Sequence, residues 1–250
     1  MRSAIVTGGS RGIGYSVASQ LLEAGYSVLI TGRNQLALED AQRSLAPSGP
    51  VTTLAFDASD LAAAQAAFAG READVLVANV GAGFSGSVAA TTLDQWNQVL
   101  NTNLTSAFIA IQAVLDGMLA RKWGRIVTVG SMASHVPLRY GAAYTASKHA
   151  LLGLTRALAE DTRGTGVTAN MVAPAFVRTE MTTQNIERIS SRSGMSAETA
   201  EKKLAALSSL QRLLEPDEVA AEVMRLVGDE SGRITGTSVP MGFDLPAGSA

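Results

Sequence analysis

The sequence contains no cysteine and only two histidines. The absence of cysteine excludes disulfides, iron–sulfur clusters, thiol catalysis and zinc sites built on thiolates. His135 and His149 are 14 positions apart and belong to no HxxxH or HExxH pair, so we expect ordinary polar residues and no metal site. Acid–base chemistry in this chain therefore falls to other side chains.

Charged and aromatic residues are also scarce. They make up 17% and 5% of the 250 residues, whereas 46% are hydrophobic, a balance that excludes intrinsic disorder. The 20 basic and 22 acidic residues give a net charge of -2, without the basic excess that non-specific nucleic-acid binding requires. We therefore expect a globular protein with no nucleic-acid partner.

Long hydrophobic runs are few. Met1 and Arg2 lead directly into the first apolar run, without the pattern of a signal peptide. The longest central run without charge, 95–115, is interrupted by Asn, Gln, Thr and Ser, which predicts a buried helix rather than a membrane span. We expect a cytoplasmic protein with no membrane contact.

Seven short apolar runs alternate with longer helical patterns. The runs show little polar alternation, as expected of strands that are buried on both faces of a sheet. This order predicts an α/β fold, doubly wound, with a seven-stranded parallel sheet and helices on both faces. No linker or repeat divides the chain, so we expect a single domain over residues 1–250. The predicted strands are 4–7, 27–31, 51–56, 75–78, 125–129, 168–172 and 238–241, and the predicted helices include 13–24, 35–45, 61–68, 144–162 and 217–227.

Local signals mark several helix ends. Asn34, Asp60 and Thr92 are predicted N-caps, Thr92 with a capping-box glutamine three residues later, and Pro216 suits a first helical position. One segment, 180–214, breaks the alternation and predicts two helices, the second beginning near Ser196. An insertion of this length is typical of a lid or substrate wall, and we call it the lid segment.

A glycine-rich turn joins the first predicted strand to the first helix. Glycines at positions 8, 12 and 14 allow a tight turn and a close approach of a diphosphate to the free N–H groups of the helix. The spacing is GxxxGxG rather than the GxGxxG of most dinucleotide-binding folds. We expect this turn to bind a dinucleotide cofactor through Gly8, Ser10, Arg11, Gly12, Ile13 and Gly14.

The end of the second predicted strand discriminates between the two nicotinamide cofactors. NAD-binding folds place a carboxylate there, but this chain has Gly32-Arg33-Asn34. Arg33, helped by Arg11, can bind a 2′-phosphate that a carboxylate would repel. The alternative is that both are solvated surface arginines. We expect NADP(H) to be preferred over NAD(H).

A tyrosine and a lysine lie one helical turn apart. Tyr144 and Lys148 share one helix face, although the same spacing also occurs on ordinary surface helices. Bringing a tyrosine pKa from about 10 to about 7 requires roughly 4 kcal/mol, and an exposed ion pair supplies only about 1 kcal/mol. Partial desolvation and a second positive charge, such as an oxidised nicotinamide, would supply the rest. Ser131, at the end of the preceding predicted strand, can hydrogen-bond a substrate carbonyl, whereas Tyr140 has no lysine four residues later.

Together these motifs resemble those of the short-chain dehydrogenase/reductase family, in the expected order and over nearly the whole chain. Thr7–Gly14 is similar to the family's TGxxxGxG turn, and 79–83 to its NNAG segment with Val80 as a departure. The resemblance implies a Rossmann-like fold and a catalytic tetrad of Asn103, Ser131, Tyr144 and Lys148. It also implies that the cofactor is contacted by Asp57, Asn79, Gly81, Tyr144, Lys148, Pro174, Val177 and Thr179.

The resemblance assigns a role to each tetrad member. Tyr144 would exchange a proton with the substrate oxygen, which Ser131 orients. Lys148 would lower the tyrosine pKa and bind the ribose hydroxyls, and Asn103 would hold a water of the proton relay. The nicotinamide carries the hydride.

Two positions depart from the family pattern. The usual Pro-Gly before the nicotinamide is Pro174-Ala175, so we expect a turn that manages without glycine's freedom at positive φ, with a small shift of the cofactor loop. The usual C-terminal Asp-Gly-Gly is replaced by 240–244, a region that packs at subunit contacts in the family. The resemblance still implies a homotetramer.

The substrate is the least determined feature. Its walls are expected from 134–140, Phe176 and the lid segment, where leucines 204, 207, 210 and 214 form a stripe that indicates core packing more than a substrate surface. The chain is most similar to 3-oxoacyl-thioester reductases and 3-hydroxyacyl dehydrogenases. Three basic residues either face an acidic acyl carrier or a CoA phosphate, or are ordinary solvated charges: Arg121, Lys122 and Arg163. The alternatives are a broad ketone or secondary-alcohol dehydrogenase, for polyol, steroid or alicyclic substrates, and a non-catalytic NADP(H)-binding redox sensor.

Overall fold

Seven strands and nine α-helices follow one another in the part of the chain that a computed structural model describes, residues 1–245 without the side chain of Arg192. The strands are β1 Ser3–Val6, β2 Ser27–Gly32, β3 Val51–Ala55, β4 Val75–Ala78, β5 Gly124–Val129, β6 Val167–Pro174 and β7 Ser238–Met241. The helices are α1 Gly12–Glu23, α2 Gln35–Leu45, α3 Leu61–Phe68, α4 Leu93–Leu100, α5 Ser106–Arg121, α6 Ala142–Asp161, α7 Glu180–Ser193, α8 Ala197–Ala205 and α9 Pro216–Val227. All seven predicted strands are confirmed; positions 246–250 of the predicted domain lie outside the described residues.

The strands form one sheet in the order β3-β2-β1-β4-β5-β6-β7, and every neighbouring pair is parallel. The strand order runs from β1 to β3 toward one side of the sheet and from β4 to β7 toward the other, so it reverses between β1 and β4. Doubly wound folds bind their ligands at such a reversal, at the carboxyl ends of the strands. The predicted doubly wound, seven-stranded parallel sheet is therefore confirmed.

Adjacent strand residues supply separate cores on the two faces of the sheet. Val6 and Val77 pack in a core that includes residues of α1, α2 and α9, and Ile5 and Leu76 pack in another with residues of α3, α5 and α6. Because both faces are covered, nearly every inward position is apolar. This explains why the strands lack the alternation of a half-exposed sheet.

The predicted helix caps are confirmed. The side chains of Asn34, Asp60 and Thr92 accept hydrogen bonds from backbone N–H groups three residues later, and Thr92 completes its capping box with Gln95. Pro216 occupies the first turn of α9. Each cap satisfies a donor that the helix leaves free, which is worth about 1 kcal/mol.

The predicted single buried helix over 95–115 is wrong in detail. α4 and α5 are joined by one π-helical turn, Asn101–Thr105. The continuous stretch Leu93–Arg121 is long and apolar enough to cross a membrane by length and composition, a test that core helices also pass, and 44% of its most apolar window is buried. It packs against α3, β4 and β5, and Phe108 on its outer side is 46% exposed.

The lid segment contains the two predicted helices, α7 and α8, and Ser196 caps the second as predicted. The predicted leucine stripe is only partly buried. α8 ends at Ala205, so the helical spacing does not continue beyond it. Leu204 and Leu214 are buried, but Leu207 and Leu210 are 61% and 47% exposed, which corrects the prediction of a core stripe for these two.

Candidate active site

The predicted site residues gather at the carboxyl ends of the central strands. The glycine-rich turn follows β1, Asn79 follows β4, Ser131 follows β5 and Thr179 follows β6. Parallel strands end at the same edge of a sheet, so residues far apart in the chain meet there. The sequence placed the glycine-rich turn and Ser131 at strand ends, and the parallel sheet brings those ends together.

The turn after β1 has room for a ligand and none for side chains. Gly8 and Gly12 have φ of +67° and +54°, which favour glycine. A Cβ on Gly14 would stand 2.3 Å from the Gly8 carbonyl oxygen and 2.6 Å from Asn79 Nδ2. The N-cap of α1, Arg11, makes no side-chain capping bond and the first turn has no acidic residue, which leaves N–H groups for an anion. These features fit a cofactor diphosphate.

The two predicted phosphate-binding arginines occupy different surroundings. Arg33 is exposed at the end of β2, close enough to Asp57 for its charge to contribute to the lowering of that carboxyl's pKa. The largest cause of that lower pKa is the hydrogen bond from the Ser59 backbone N–H, with the Ser59 hydroxyl adding to it. Arg11 instead forms an ion pair with Glu180, the first residue of α7. In this arrangement the Arg11 guanidinium links the glycine-rich turn to the lid segment.

Asn79 fixes the turn in place. Its side-chain amide donates to the carbonyl oxygens of Thr7 and Gly8, at 2.9 and 3.2 Å, and its backbone N–H donates to the Thr7 hydroxyl. Gly81, two residues later, lies so near Lys148 that a Cβ would be 3.4 Å from Nζ. The segment after β4 therefore connects the glycine-rich turn to the surroundings of Lys148.

Three further predicted cofactor residues lie beside this turn. Ser10 Oγ is 3.5 Å from the position that a Cβ on Gly32 would take, which puts Ser10 at the end of β2. Ile13 packs on the core below the turn. Thr179 Cγ2 would be 3.2 Å from a Cβ on Gly12, so the start of α7 lies over the turn.

Tyr144 and Ser131 face each other. Burial raises the pKa of Tyr144, and a hydrogen bond with Ser131 acts in the opposite direction. Ser131 is buried, and its hydroxyl also accepts from the backbone N–H of Ala133 at 3.2 Å. At neutral pH the phenol is therefore a proton-carrying acid, placed beside a hydroxyl that can bind the same substrate oxygen.

Lys148 is a buried cation without a carboxylate partner among the described residues. It is 3% exposed, and its Nζ donates to the Val129 carbonyl oxygen at 2.9 Å and lies 5.9 Å from the centre of the Tyr144 ring. Burial lowers the pKa of Lys148 to about 8. Burial raises the pKa of Tyr144, which corrects the expectation that partial desolvation would help to lower it. Any lowering is left to positive charge, from Lys148 and from a bound nicotinamide.

Asn103 lies in the π-helical turn with both side-chain atoms occupied. Its Oδ1 accepts from the Ala82 N–H at 2.7 Å, and its Nδ2 donates to the Ala82 carbonyl at 3.1 Å and to Ser147 Oγ at 3.0 Å. The side chain thus clamps the segment after β4 to α6. A role in holding water would fall to its backbone carbonyl.

Ser147 is a site residue that the sequence reasoning missed. It is fully buried, accepts from Asn103 and donates to the Tyr144 carbonyl at 2.7 Å. It therefore links two members of the predicted tetrad. Its position directly before Lys148 was visible in the sequence, but nothing in the spacing distinguished it from the other small residues of that turn.

The Pro174-Ala175 turn manages without glycine, as predicted. Ala175 is not among the residues with positive φ, and its N–H donates to the Met241 carbonyl at 2.8 Å. Its backbone is thus one that any residue adopts, and glycine's freedom is not required. Val177 is buried, and its carbonyl accepts from the hydroxyls of Thr179 and Thr182, which fixes the start of α7.

The basic residues considered for carrier binding lie elsewhere. Arg121 and Lys122 stand where α5 ends, and Arg163 follows the end of α6, at the edge of the sheet where the strands begin. Arg121 pairs with Glu72 and Asp74, and Arg163 with Glu160. The structure therefore favours surface ion pairs over a carrier contact for these two arginines.

The predicted substrate walls are only partly brought together. Ser134 is buried and Tyr140 is 54% exposed, with φ of +59°. Phe176 lines a cavity of about 180 Å³ with Ser85 and residues of α7 and α8. No cluster of metal-binding side chains occurs among the residues that the structure describes.

Comparison with known proteins agrees with this geometry. A family model described as short chain dehydrogenase matches residues 2–190. The chain is 35% identical over 243 residues to an acetoacetyl-CoA reductase of Shinella zoogloeoides, covering 95% of each chain. Among solved structures, a variant actinorhodin polyketide ketoreductase with NADPH is 31% identical, with a TM-score of 0.91 and 96% of each chain covered.

A second solved structure extends the comparison. A 3-oxoacyl (acyl-carrier-protein) reductase of Agrobacterium tumefaciens with NADP bound is 30% identical, with a TM-score of 0.85 and coverage of 96% and 92%. The matched family model spans every member of the predicted tetrad. The chain belongs to the short-chain dehydrogenase family and is an oxidoreductase.

Proposed function

We propose that this protein reduces the ketone of a 3-oxoacyl thioester to a secondary alcohol, using NADPH. The observation that carries this proposal is the position of Tyr144, beside Ser131 and with Lys148 Nζ 5.9 Å from the centre of its ring. A neutral phenol is a proton donor, which suits reduction. The relatives named above as acetoacetyl-CoA and 3-oxoacyl carrier-protein reductases support the thioester class.

The chain's own groups divide the work of proton transfer. Ser131 donates a hydrogen bond to the substrate carbonyl oxygen and holds it beside the Tyr144 hydroxyl. Tyr144 gives its proton to that oxygen as negative charge develops there. Lys148, still protonated at pH 7, stabilises the phenolate that remains.

The cofactor fits the cradle formed by Gly8, Gly12 and Gly14, with its diphosphate at the start of α1. When bound, NADPH supplies the hydride. Lys148 Nζ, beside Gly81, would hold the ribose hydroxyls, and Thr179 the carboxamide. Asp57, Pro174 and Val177 would border the adenine and nicotinamide ends.

A preference for NADPH over NADH rests on the end of β2. It carries Arg33, exposed, and no carboxylate. The two solved relatives that hold NADPH or NADP support the same choice. We expect kcat/KM with NADPH to exceed that with NADH at least about tenfold, which one charge-assisted phosphate contact can supply; equal values would contradict the preference.

The reaction itself is tested by following NADPH absorbance with three groups of substrates: acetoacetyl-CoA, neutral alicyclic ketones and ketosugars. We expect the highest kcat/KM with acetoacetyl-CoA. A higher value for the ketones or sugars would favour a broad ketone or polyol enzyme instead. Absence of turnover with every substrate would favour a redox sensor.

Assembly and location are part of the same proposal. On α6, Gly153 is exposed and a Cβ there would meet nothing within 4 Å, and on α5 Phe108 is 46% exposed. Small and apolar residues on the outer sides of these helices suit contact with further copies of the chain, and we propose a homotetramer in the cytoplasm. Size-exclusion chromatography with light scattering gives the subunit number directly.

A further inference from the structure

The cavity beside Phe176 is lined in part by the segment that follows β4. This segment passes Lys148 at Gly81 and reaches Gly86, whose N–H donates to the Tyr140 carbonyl at 2.7 Å. Ser85, one residue before that contact, lines the cavity. One short segment therefore contacts both the surroundings of Lys148 and the cavity.

One face of α7 forms the opposite wall. Met181 lies over Gly83, with its Sδ 3.6 Å from the position of a Cβ there. Asn185, Arg188 and Ile189, at four, seven and eight residues later, share this face and line the cavity. From Met181 to Arg188 the helix rises about 10 Å. Arg188 thus lies about two helical turns from the contact of Met181 with Gly83.

The lining matches a particular kind of molecule. Phe176, Ile189 and Leu204 are apolar, whereas Ser85 and Asn185 offer hydroxyl and amide groups. A pantetheine arm has the same mixture, because it alternates methylene and methyl groups with two amides. A purely hydrocarbon ligand would leave the amide of Asn185 without a partner.

Arg188 forms no ion pair with a carboxylate within the described residues. Three of the four carboxylates of the lid segment are paired elsewhere, Glu180 with Arg11, Glu198 with Lys202 and Glu201 with Arg178. The fourth, Glu187, is exposed and does not line the cavity. Arg188 is half-buried, and no acidic side chain lines its cavity. A guanidinium in such a place favours a bidentate oxyanion.

We propose that Arg188 binds the phosphate of a phosphopantetheine arm that carries the acyl thioester. This rests on the proposed function and adds the part of the substrate that is recognised. The carboxylate of a free 3-oxo acid is separated from its ketone by one carbon, so it would stay beside the ketone near Tyr144, whereas Arg188 lines a cavity that no member of the predicted tetrad lines. The phosphate lies at the far end of the arm.

The test compares acetoacetyl-phosphopantetheine with acetoacetyl-pantetheine, which lacks only the phosphate. For the unmodified protein we expect KM about tenfold lower with the phosphorylated substrate. Arg188→Met should raise that KM to the value of the neutral substrate, with kcat for both changed less than about twofold. Arg188→Lys should retain part of the effect, because it keeps the charge and loses the bidentate geometry.

The matched control is Arg233→Met, which removes the same charge from an exposed position outside the cleft. It should leave both KM values unchanged. Equal KM increases for the two thioesters in Arg188→Met, or a loss confined to acetoacetate, would overturn the inference. If the unmodified protein reduces neither thioester, the proposed function itself fails, and that outcome is distinct. An unchanged NADPH dissociation constant verifies that the variants keep their fold.

Discussion

Lys148 is buried at a position where a charged lysine destabilises the folded protein. It is almost completely buried, its Nζ has one carbonyl partner, and burial lowers its pKa from 10.5 to about 8. Between pH 8 and about 10.5 the folded chain has released this proton while the unfolded chain still holds it. The free energy of unfolding therefore rises with pH across that window. Below pH 8 the lysine is charged in the folded chain, and the full cost of burying that charge lowers the stability.

Replacing Lys148 by methionine should stabilise the protein while it removes activity. The pKa difference corresponds to about 3 kcal/mol at pH 7, and loss of the bond to the Val129 carbonyl offsets about 1 kcal/mol. We expect Lys148→Met to raise the free energy of unfolding by about 2 kcal/mol at pH 7, measured by urea denaturation without cofactor. The gain should shrink toward pH 10.

Lys203→Met is the control, since Lys203 is exposed on α8. It should change the free energy of unfolding by less than about 0.5 kcal/mol. A Lys148→Met variant less stable than the unmodified protein at pH 7 would show that the lysine is not held at an energetic cost.

For the helices and their ends, sequence signals within a few residues were sufficient to predict the structure. Contacts between residues far apart in the chain could not be predicted. Asn34 and Asp60 cap their helices as predicted because the whole signal lies within four residues. The partner of Arg11 could not be predicted, because Glu180 is 169 positions away and meets it only through the fold. Leu207 is exposed because α8 ends at Ala205, and that end depends on packing of the lid segment.

The glycine-rich turn provides a test at this scale. In Gly14→Ala the new Cβ would stand 2.3 Å from the Gly8 carbonyl oxygen, so the backbone must shift where the diphosphate binds. We expect the NADPH dissociation constant, measured by fluorescence titration, to increase more than about tenfold.

Gly228→Ala is the matched control for this substitution. Its φ is -63°, and the nearest atom to a Cβ would be 3.7 Å away, so this change should leave NADPH binding as it is. Tight NADPH binding by Gly14→Ala would mean that the diphosphate does not approach this turn.

Across the whole molecule, chemistry and stability lie at opposite edges of the sheet. At the edge where the strands begin, Arg2 and Arg125 stack on the Trp123 ring, at 3.9 and 4.5 Å from its centre. Arg125 is buried and donates to the carbonyls of Gly124 and Gly166. This cluster joins the N-terminus to β5 and to the start of β6.

Trp123→Ala should therefore lower stability and spare catalysis. Loss of the ring removes apolar burial and two cation–π contacts, worth about 2–3 kcal/mol together. We expect that decrease in the free energy of unfolding, by thermal or urea denaturation, with kcat and KM of the folded enzyme unchanged. A loss of kcat without loss of stability would mean that this edge communicates with the site.

The proposed reaction depends most directly on Tyr144 as the proton donor. The most direct measurement is kcat for reduction of acetoacetyl-CoA with NADPH by Tyr144→Phe, beside Tyr140→Phe, which removes the hydroxyl of an exposed tyrosine. We expect kcat of Tyr144→Phe to fall about 100- to 10,000-fold, the range of general acid catalysis, with NADPH binding retained. Tyr140→Phe should keep kcat within about twofold. Retained turnover in Tyr144→Phe would contradict the account.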